Sequence, residues 1–129
     1  MPVTVKDLMS TARAAVPSVT PAAASDLVKD ASALILDVRD GTEVAATGKI
    51  KGALAISRGM LEFRADPSLP THDSALRQDR PVLLYCGSGG RAALAGKTLL
   101  DMGFKDVRNL GGSRTWLTPA GRLSVPDAA

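Results

Sequence analysis

Residues 80–102, RPVLLYCGSGGRAALAGKTLLDM, constrain the fold more than any other part of the chain. Val82-Leu83-Leu84-Tyr85 is apolar without alternation, follows Pro81 and runs into a glycine-rich turn. That is the pattern of a strand buried on both faces of a parallel sheet. Cys86 stands at its carboxyl end, Gly87-Ser88-Gly89-Gly90-Arg91 follows, and Ala92-Ala93-Leu94-Ala95 opens a helix. Strand, tight loop and helix bring the thiol to where loop N–H groups and the positive end of a helix dipole converge. Open parallel sheets carry their sites there, outside the carboxyl ends of the strands. The arrangement predicts a Cys86 that is thiolate-rich near neutral pH and acts as a nucleophile.

Around that unit the chain alternates helical and extended segments. Residues 4–16 put Val5, Leu8, Met9, Ala12 and Val16 on one helical face, with Thr4 as the cap and Pro17 as the stop. Val19 lies in a strand-length fragment, and Thr20 with Pro21 opens a helix over 21–30 that buries Ala24, Leu27 and Val28. Ala33-Leu34-Ile35-Leu36 is an apolar strand running into Asp37-Val38-Arg39. A short helix over 42–46 closes at Gly48, residues 52–56 form a short strand, and 57–63 a further short helix. Residues 66–80, rich in Pro, Ser and Asp, read as a surface connection. Gly103 is the C-cap glycine, 106–110 the last strand, and Gly111-Gly112 precede a short helical segment through Trp116. The class is α/β. One domain over 18–118 follows an N-terminal helix within 1–17 and precedes a loosely ordered tail over 119–129.

The chain's 129 residues suit one domain with a core of its own. No apolar run approaches the ~18 residues of a transmembrane helix, and the first twenty residues lack the apolar stretch of a signal peptide. A single cysteine excludes an internal disulfide and a cysteine-rich zinc site. The expected setting is cytoplasmic, without membrane association. The net charge of +3 comes from scattered Lys and Arg, and four aromatic residues give little to stack on bases. Nucleic-acid binding is therefore unsupported, and attraction of small anions is the milder inference.

The motifs Asp37-Val38-Arg39, Gly52-Ala53, Cys86 to Arg91, and Gly111-Gly112 with Trp116 fall into a known order and spacing. Over about residues 18–118 the sequence resembles the single-domain rhodanese-like sulfurtransferases. YCGSGGRAALAGKTLLDMGF followed by NLGG carries most of the likeness. Arg58-Gly59-Met60-Leu61-Glu62-Phe63, with Asp66-Pro67 and His72, is similar to a bacterial subgroup. The resemblance implies a five-stranded parallel sheet flanked by helices and a persulfide carried on Cys86. It implies transfer of sulfane sulfur from a donor such as thiosulfate to cyanide or a thiol, with a thiol-bearing protein among the acceptors. No cofactor and no metal are implied. The chain departs from the family pattern at Lys49 and Lys51, where His and Pro are usual, and at Ala92, where many members have Ser.

Sulfur transfer needs a thiolate and a cradle for the persulfide anion. Successive N–H groups over Gly87, Ser88, Gly89, Gly90 and Arg91 form such a nest, and the glycines let it curl. The alternative for Cys86 is a buried structural thiol. Arg91 either steers anionic donors or covers the helix start, where a cation opposes the dipole. Arg58, like Arg64, either lines the mouth of the site or is solvated. Asp37 and Arg39 are read as structural support, pairing with loop groups or with Glu43. His72 beside Cys86 would make a Cys–His hydrolase, but its surroundings read as loop. The glycine loop lacks the Lys-Ser/Thr ending of a nucleotide P-loop. Cysteine phosphatases look like Cys-x5-Arg, whereas this loop is Cys-x4-Arg and curls more tightly. A non-enzymatic binding or sulfur-relay module is the third class, weakened by the presence of Cys86.

Overall fold

The computed structural model describes residues 2–113. Trp116, the helical segment leading to it and the tail from Pro119 lie outside the described residues.

The first helix, α1 (Val5–Ala15), starts on a capping box: Thr4 Oγ1 accepts from Asp7 N–H at 3.1 Å, and the Asp7 carboxylate accepts from Thr4 N–H at 3.0 Å. Helix α2 (Pro21–Ala31) starts with Thr20 Oγ1 accepting from Ala23 N–H at 3.2 Å and Pro21 in the first turn. Strand β1 (Leu34–Asp37) is buried throughout. Helix α3 (Gly41–Thr47), strand β2 (Leu54–Ala55), a 3-10 turn (Arg58–Met60) and helix α4 (Leu61–Ala65) follow. Strand β3 (Val82–Cys86), helix α5 (Gly90–Asp101) and strand β4 (Val107–Gly112) complete the described chain. Among the described residues no helix is long and apolar enough to cross a membrane.

All strand pairs are parallel, in the order β2-β1-β3-β4. Among the described residues the sheet has four strands, not the five expected. The fragment around Val19 makes only an isolated bridge, Ser18 to Asn109. Its hydrogen bonds run from Val19 N–H to the Asn109 carbonyl at 3.0 Å and from Asn109 N–H to the Pro17 carbonyl at 2.9 Å. Prolines at 17 and 21 have no N–H to donate and fix their own backbones, which stops the ladder on both sides.

β3 lies between β1 and β4, and its unbroken apolar run reflects two covered faces. Val82, Leu84 and Cys86 face one core with Leu36, Ala92, Leu99 and Val107. Leu83 and Tyr85 face the other with Ala24, Ile35, Ile50 and Leu110. Each fully buried leucine contributes about 1.5–3 kcal/mol, so this strand anchors the domain and fixes where Cys86 sits. Between Leu84 and Tyr85 the β3–β4 register shifts, Leu84 pairing with Asn109 and Tyr85 with Gly111. β4 thus carries one extra residue, and its Gly111-Gly112 end is turned against the loop after Cys86.

Candidate active site

Cys86 closes β3 with its side chain fully buried. Its Sγ accepts hydrogen bonds from Gly89 N–H at 3.0 Å and from Ala92 N–H at 3.4 Å. The second donor belongs to the first turn of α5, whose opening N–H groups have no partner within the helix. Two backbone donors and a helix N-terminus converge on one sulfur, a setting that stabilises negative charge there.

The loop is held in that shape from behind. Gly89 adopts φ +95°, a conformation that glycine takes without strain. Asn109 Nδ2 donates to the Gly89 carbonyl at 3.2 Å, and Asn109 Oδ1 accepts from Gly111 N–H at 2.7 Å. A Cβ built on Gly112 would lie 2.7 Å from the Gly87 carbonyl oxygen, so β4 and the loop approach backbone to backbone. Ser88 is exposed at the outer edge, and Gly90 begins α5 near Met9 of α1.

Arg91 does not point into open solvent. Its Nη1 and Nη2 donate to the two carboxylate oxygens of Glu43, at 2.6 and 2.9 Å, with both side chains a little over one-third exposed. The guanidinium lies over Gly87, where an added Cβ would come within 3.2 Å of Nη2. These hydrogen bonds hold the Glu43 carboxyl down to about 2, and Glu43 in turn raises Arg91. Glu43 is also the third residue of α3 and forms a capping box with Asp40.

Asp37 and Arg39 pair with each other rather than with the loop. Arg39 Nη2 lies 2.7 Å from Asp37 Oδ2, and the pair is almost wholly buried. Arg39 also donates to Thr47 Oγ1 and the Gly48 carbonyl, each at 2.7 Å, and its guanidinium carbon sits 5.6 Å from the centre of the Tyr85 ring. Tyr85 Oη accepts from Ile50 N–H at 3.0 Å, and burial with the Asp37 charge pushes its phenol upward. This cluster braces the carboxyl ends of β1 and β3. Arg58 is engaged elsewhere, with Nη1 on Glu62 at 2.8 Å and Nη2 on Thr98 Oγ1 at 2.9 Å. The His72 ring contacts the Leu76 carbonyl at 3.1 Å, in the connection leading into the amino end of β3. Cys86 closes the opposite end, so the two do not form a dyad. Arg64 accepts from Asp73 N–H through its carbonyl at 2.8 Å, in that same region.

Three contributors escaped the sequence reading: the Ala92 amide, Asn109 and Glu43 as the partner of Arg91. Only Glu43 left a local trace, the Asp40-x-x-Glu43 capping-box spacing.

The family model of the rhodanese-like domain matches residues 20–118. The chain belongs to the rhodanese-like family. It is a rhodanese-like domain of the sulfurtransferase type, with α1 lying before the matched segment. A sulfurtransferase of Allochromatium vinosum is 32% identical over 95 residues, 73% of this chain and 80% of that protein. The solution structure of the homodimeric polysulfide-sulfur transferase of Wolinella succinogenes is similar with TM-score 0.69 and 34% identity, covering 95% of this chain and 89% of that one. A Rhodopseudomonas palustris protein named as a possible tyrosine phosphatase is similar with TM-score 0.81 and 36% identity, covering 95% and 98%.

Proposed function

We propose that this rhodanese-like domain carries sulfane sulfur on Cys86, taking it from a donor such as thiosulfate and passing it to cyanide or a thiol. The supporting observation is the Cys86 sulfur held by the Gly89 and Ala92 amides at a strand end. In the first half-reaction the thiolate attacks the outer sulfur of the donor. An Sγ–S bond forms, the donor S–S bond breaks, and sulfite leaves thiosulfate with the electron pair. In the second, cyanide or a thiolate attacks that outer sulfur and Cys86 leaves as thiolate. The Gly89 and Ala92 amides stabilise the Cys86 sulfur as the thiolate that attacks in the first step and leaves in the second. The name of the Wolinella relative adds polysulfide to the donors worth testing. A reducing compartment such as the cytoplasm suits the cycle, because thiol acceptors are abundant there.

A phosphatase reading draws on the name of the Rhodopseudomonas neighbour. Against it stand the Cys-x4-Arg loop and an Arg91 whose fork is filled by Glu43 rather than turned toward a phosphoryl group. Intact-mass analysis tests the proposal. After thiosulfate, mercaptopyruvate or polysulfide treatment, the protein is expected to gain one sulfur that cyanide removes and that Cys86→Ser abolishes. Absence of any gain, or aryl-phosphate hydrolysis lost in Cys86→Ser, overturns it. A relay to a protein acceptor is read from persulfide handed to a thiol-bearing partner.

A further inference from the structure

We infer that Glu43 sets the donor selectivity of the Cys86 site, holding Arg91 in a two-point ion pair so that organic hydropersulfides are favoured over dianionic thiosulfate. The inference rests on the sulfur-transfer reading above and names the donor class for it.

Arg91 is the only cation within the loop that follows Cys86. Both terminal nitrogens of its guanidinium are taken, at 2.6 and 2.9 Å, by a carboxylate tethered to another helix. That carboxylate is itself fixed, since Glu43 Oε1 also accepts from Asp40 N–H at 3.3 Å. An anionic donor seeking Arg91 must displace a partner already in place and unable to diffuse away. The neighbouring charges do not help it. Asp40 adds a negative charge that acts on Arg91, and Arg39, which acts on Glu43, is saturated by Asp37. Among these described groups, two cations (Arg39, Arg91) face three carboxylates (Asp37, Asp40, Glu43), before the Cys86 thiolate is counted.

Thiosulfate brings two negative charges to that setting, whereas a hydropersulfide R–S–SH attacked in its protonated form brings none at the reacting group. Its transfer balances without any added reagent. The Cys86 thiolate attacks the terminal sulfur, an Sγ–S bond forms, the S–S bond of the hydropersulfide breaks, and RS⁻ leaves with the electron pair and takes up the proton of the transferred sulfur.

The test compares kcat/KM for thiosulfate with kcat/KM for the hydropersulfide of 2-mercaptoethanol, read as persulfide mass on Cys86. Glu43→Gln keeps an oxygen for the Asp40 N–H, so the start of α3 is preserved, but it frees the Arg91 charge. At low ionic strength the thiosulfate-to-hydropersulfide ratio is expected to rise about fivefold, the gain shrinking as salt is added. In Glu43→Gln/Arg91→Ala the ratio is expected to return to within about twofold of the original, because the freed cation is gone. An unchanged ratio in Glu43→Gln, or a gain that survives in the double variant, overturns the inference and leaves Glu43 as a structural brace. The unaltered protein gives an independent reading. Its kcat/KM for thiosulfate should stay flat or rise with salt, and a steep fall, the signature of an open anion receptor, overturns the inference as well. If neither donor loads sulfur on the unaltered protein, the sulfur-transfer reading itself fails, which the mass distinguishes from a failure of selectivity alone.

Discussion

A methyl group at Gly112 would meet the Gly87 carbonyl oxygen at 2.7 Å, a backbone atom that no rotamer change can move aside. Gly112→Ala is therefore expected to push the loop off its position, lowering persulfide formation on Cys86 by about tenfold at a stability cost of about 1–3 kcal/mol. Sulfur-loading rates and denaturant unfolding of the same preparation check both halves, and loading that tracks the original protein rejects the role given to β4. Glu43 offers a second measurement at this scale. Its carboxyl is held at about 2 in the folded chain against an ordinary 4.5, chiefly by the Arg91 hydrogen bonds. A depressed folded value means that the ion pair contributes fully above about pH 4.5 and fades as pH falls toward 2. Because both side chains are more than one-third exposed, solvent screening limits that contribution to about 0.2–1 kcal/mol. The stability difference between the original protein and Glu43→Gln should be constant above pH 5 and close by pH 2, as followed by chemical denaturation. A gap that widens on acidification contradicts the assignment.

Helix α5 packs on the end of α1 and on β4 through Gly96, where an added Cβ would lie 3.0 Å from both methyls of Val16 and 3.2 Å from Val107. Alanine there gains about 0.5–1 kcal/mol of helix propensity, but three branched contacts at that range oppose it. Gly96→Ala is expected to destabilise by about 1–2 kcal/mol net, with Val16→Ala in the same chain recovering part of the loss. Equal or greater stability in the single variant shows that α1 gives way. The elements best foreseen were those whose cause is local. The Thr20-Pro21 helix start is written in neighbouring residues, and so is Gly103, which adopts φ +98° after α5. The continuous apolar run of β3 likewise announced its two covered faces. What escaped depends on residues far apart in sequence. The fragment around Val19 has strand length, and although the flanking prolines limit it, its partner Asn109, bridged to Ser18, lies far along the chain and was not legible locally. β2 shrank from five expected residues to Leu54–Ala55 because Gly52 takes φ +83° and Ala53 N–H turns back to the Ile50 carbonyl at 2.9 Å, so the chain enters the strand only at Leu54. Arg91 and Glu43 stand 48 positions apart, so the pair became visible only once α3 and α5 were placed side by side.

Among the described residues the strands join without one hairpin. Leu34 pairs with Val82 and Val82 with Val107, so every rung of the sheet waits for a distant part of the chain. The Cys86 cradle needs still more: its own loop, the start of α5 and the Gly111-Gly112 end of β4 behind them. Time is the consequence. Loops of this size must close before any of these contacts repays the lost entropy, which places folding toward the millisecond-to-second range. A nascent or refolding chain therefore carries an open thiol until β4 docks. In stopped-flow refolding with a pulse of a bulky thiol reagent, too large to enter the loop around the buried Cys86, the thiol should label freely at first and become protected only with the slowest phase, whereas early protection would mean that loop and helix assemble without β4. The one cysteine of the chain thus serves as a clock for its own assembly, running until the site is closed.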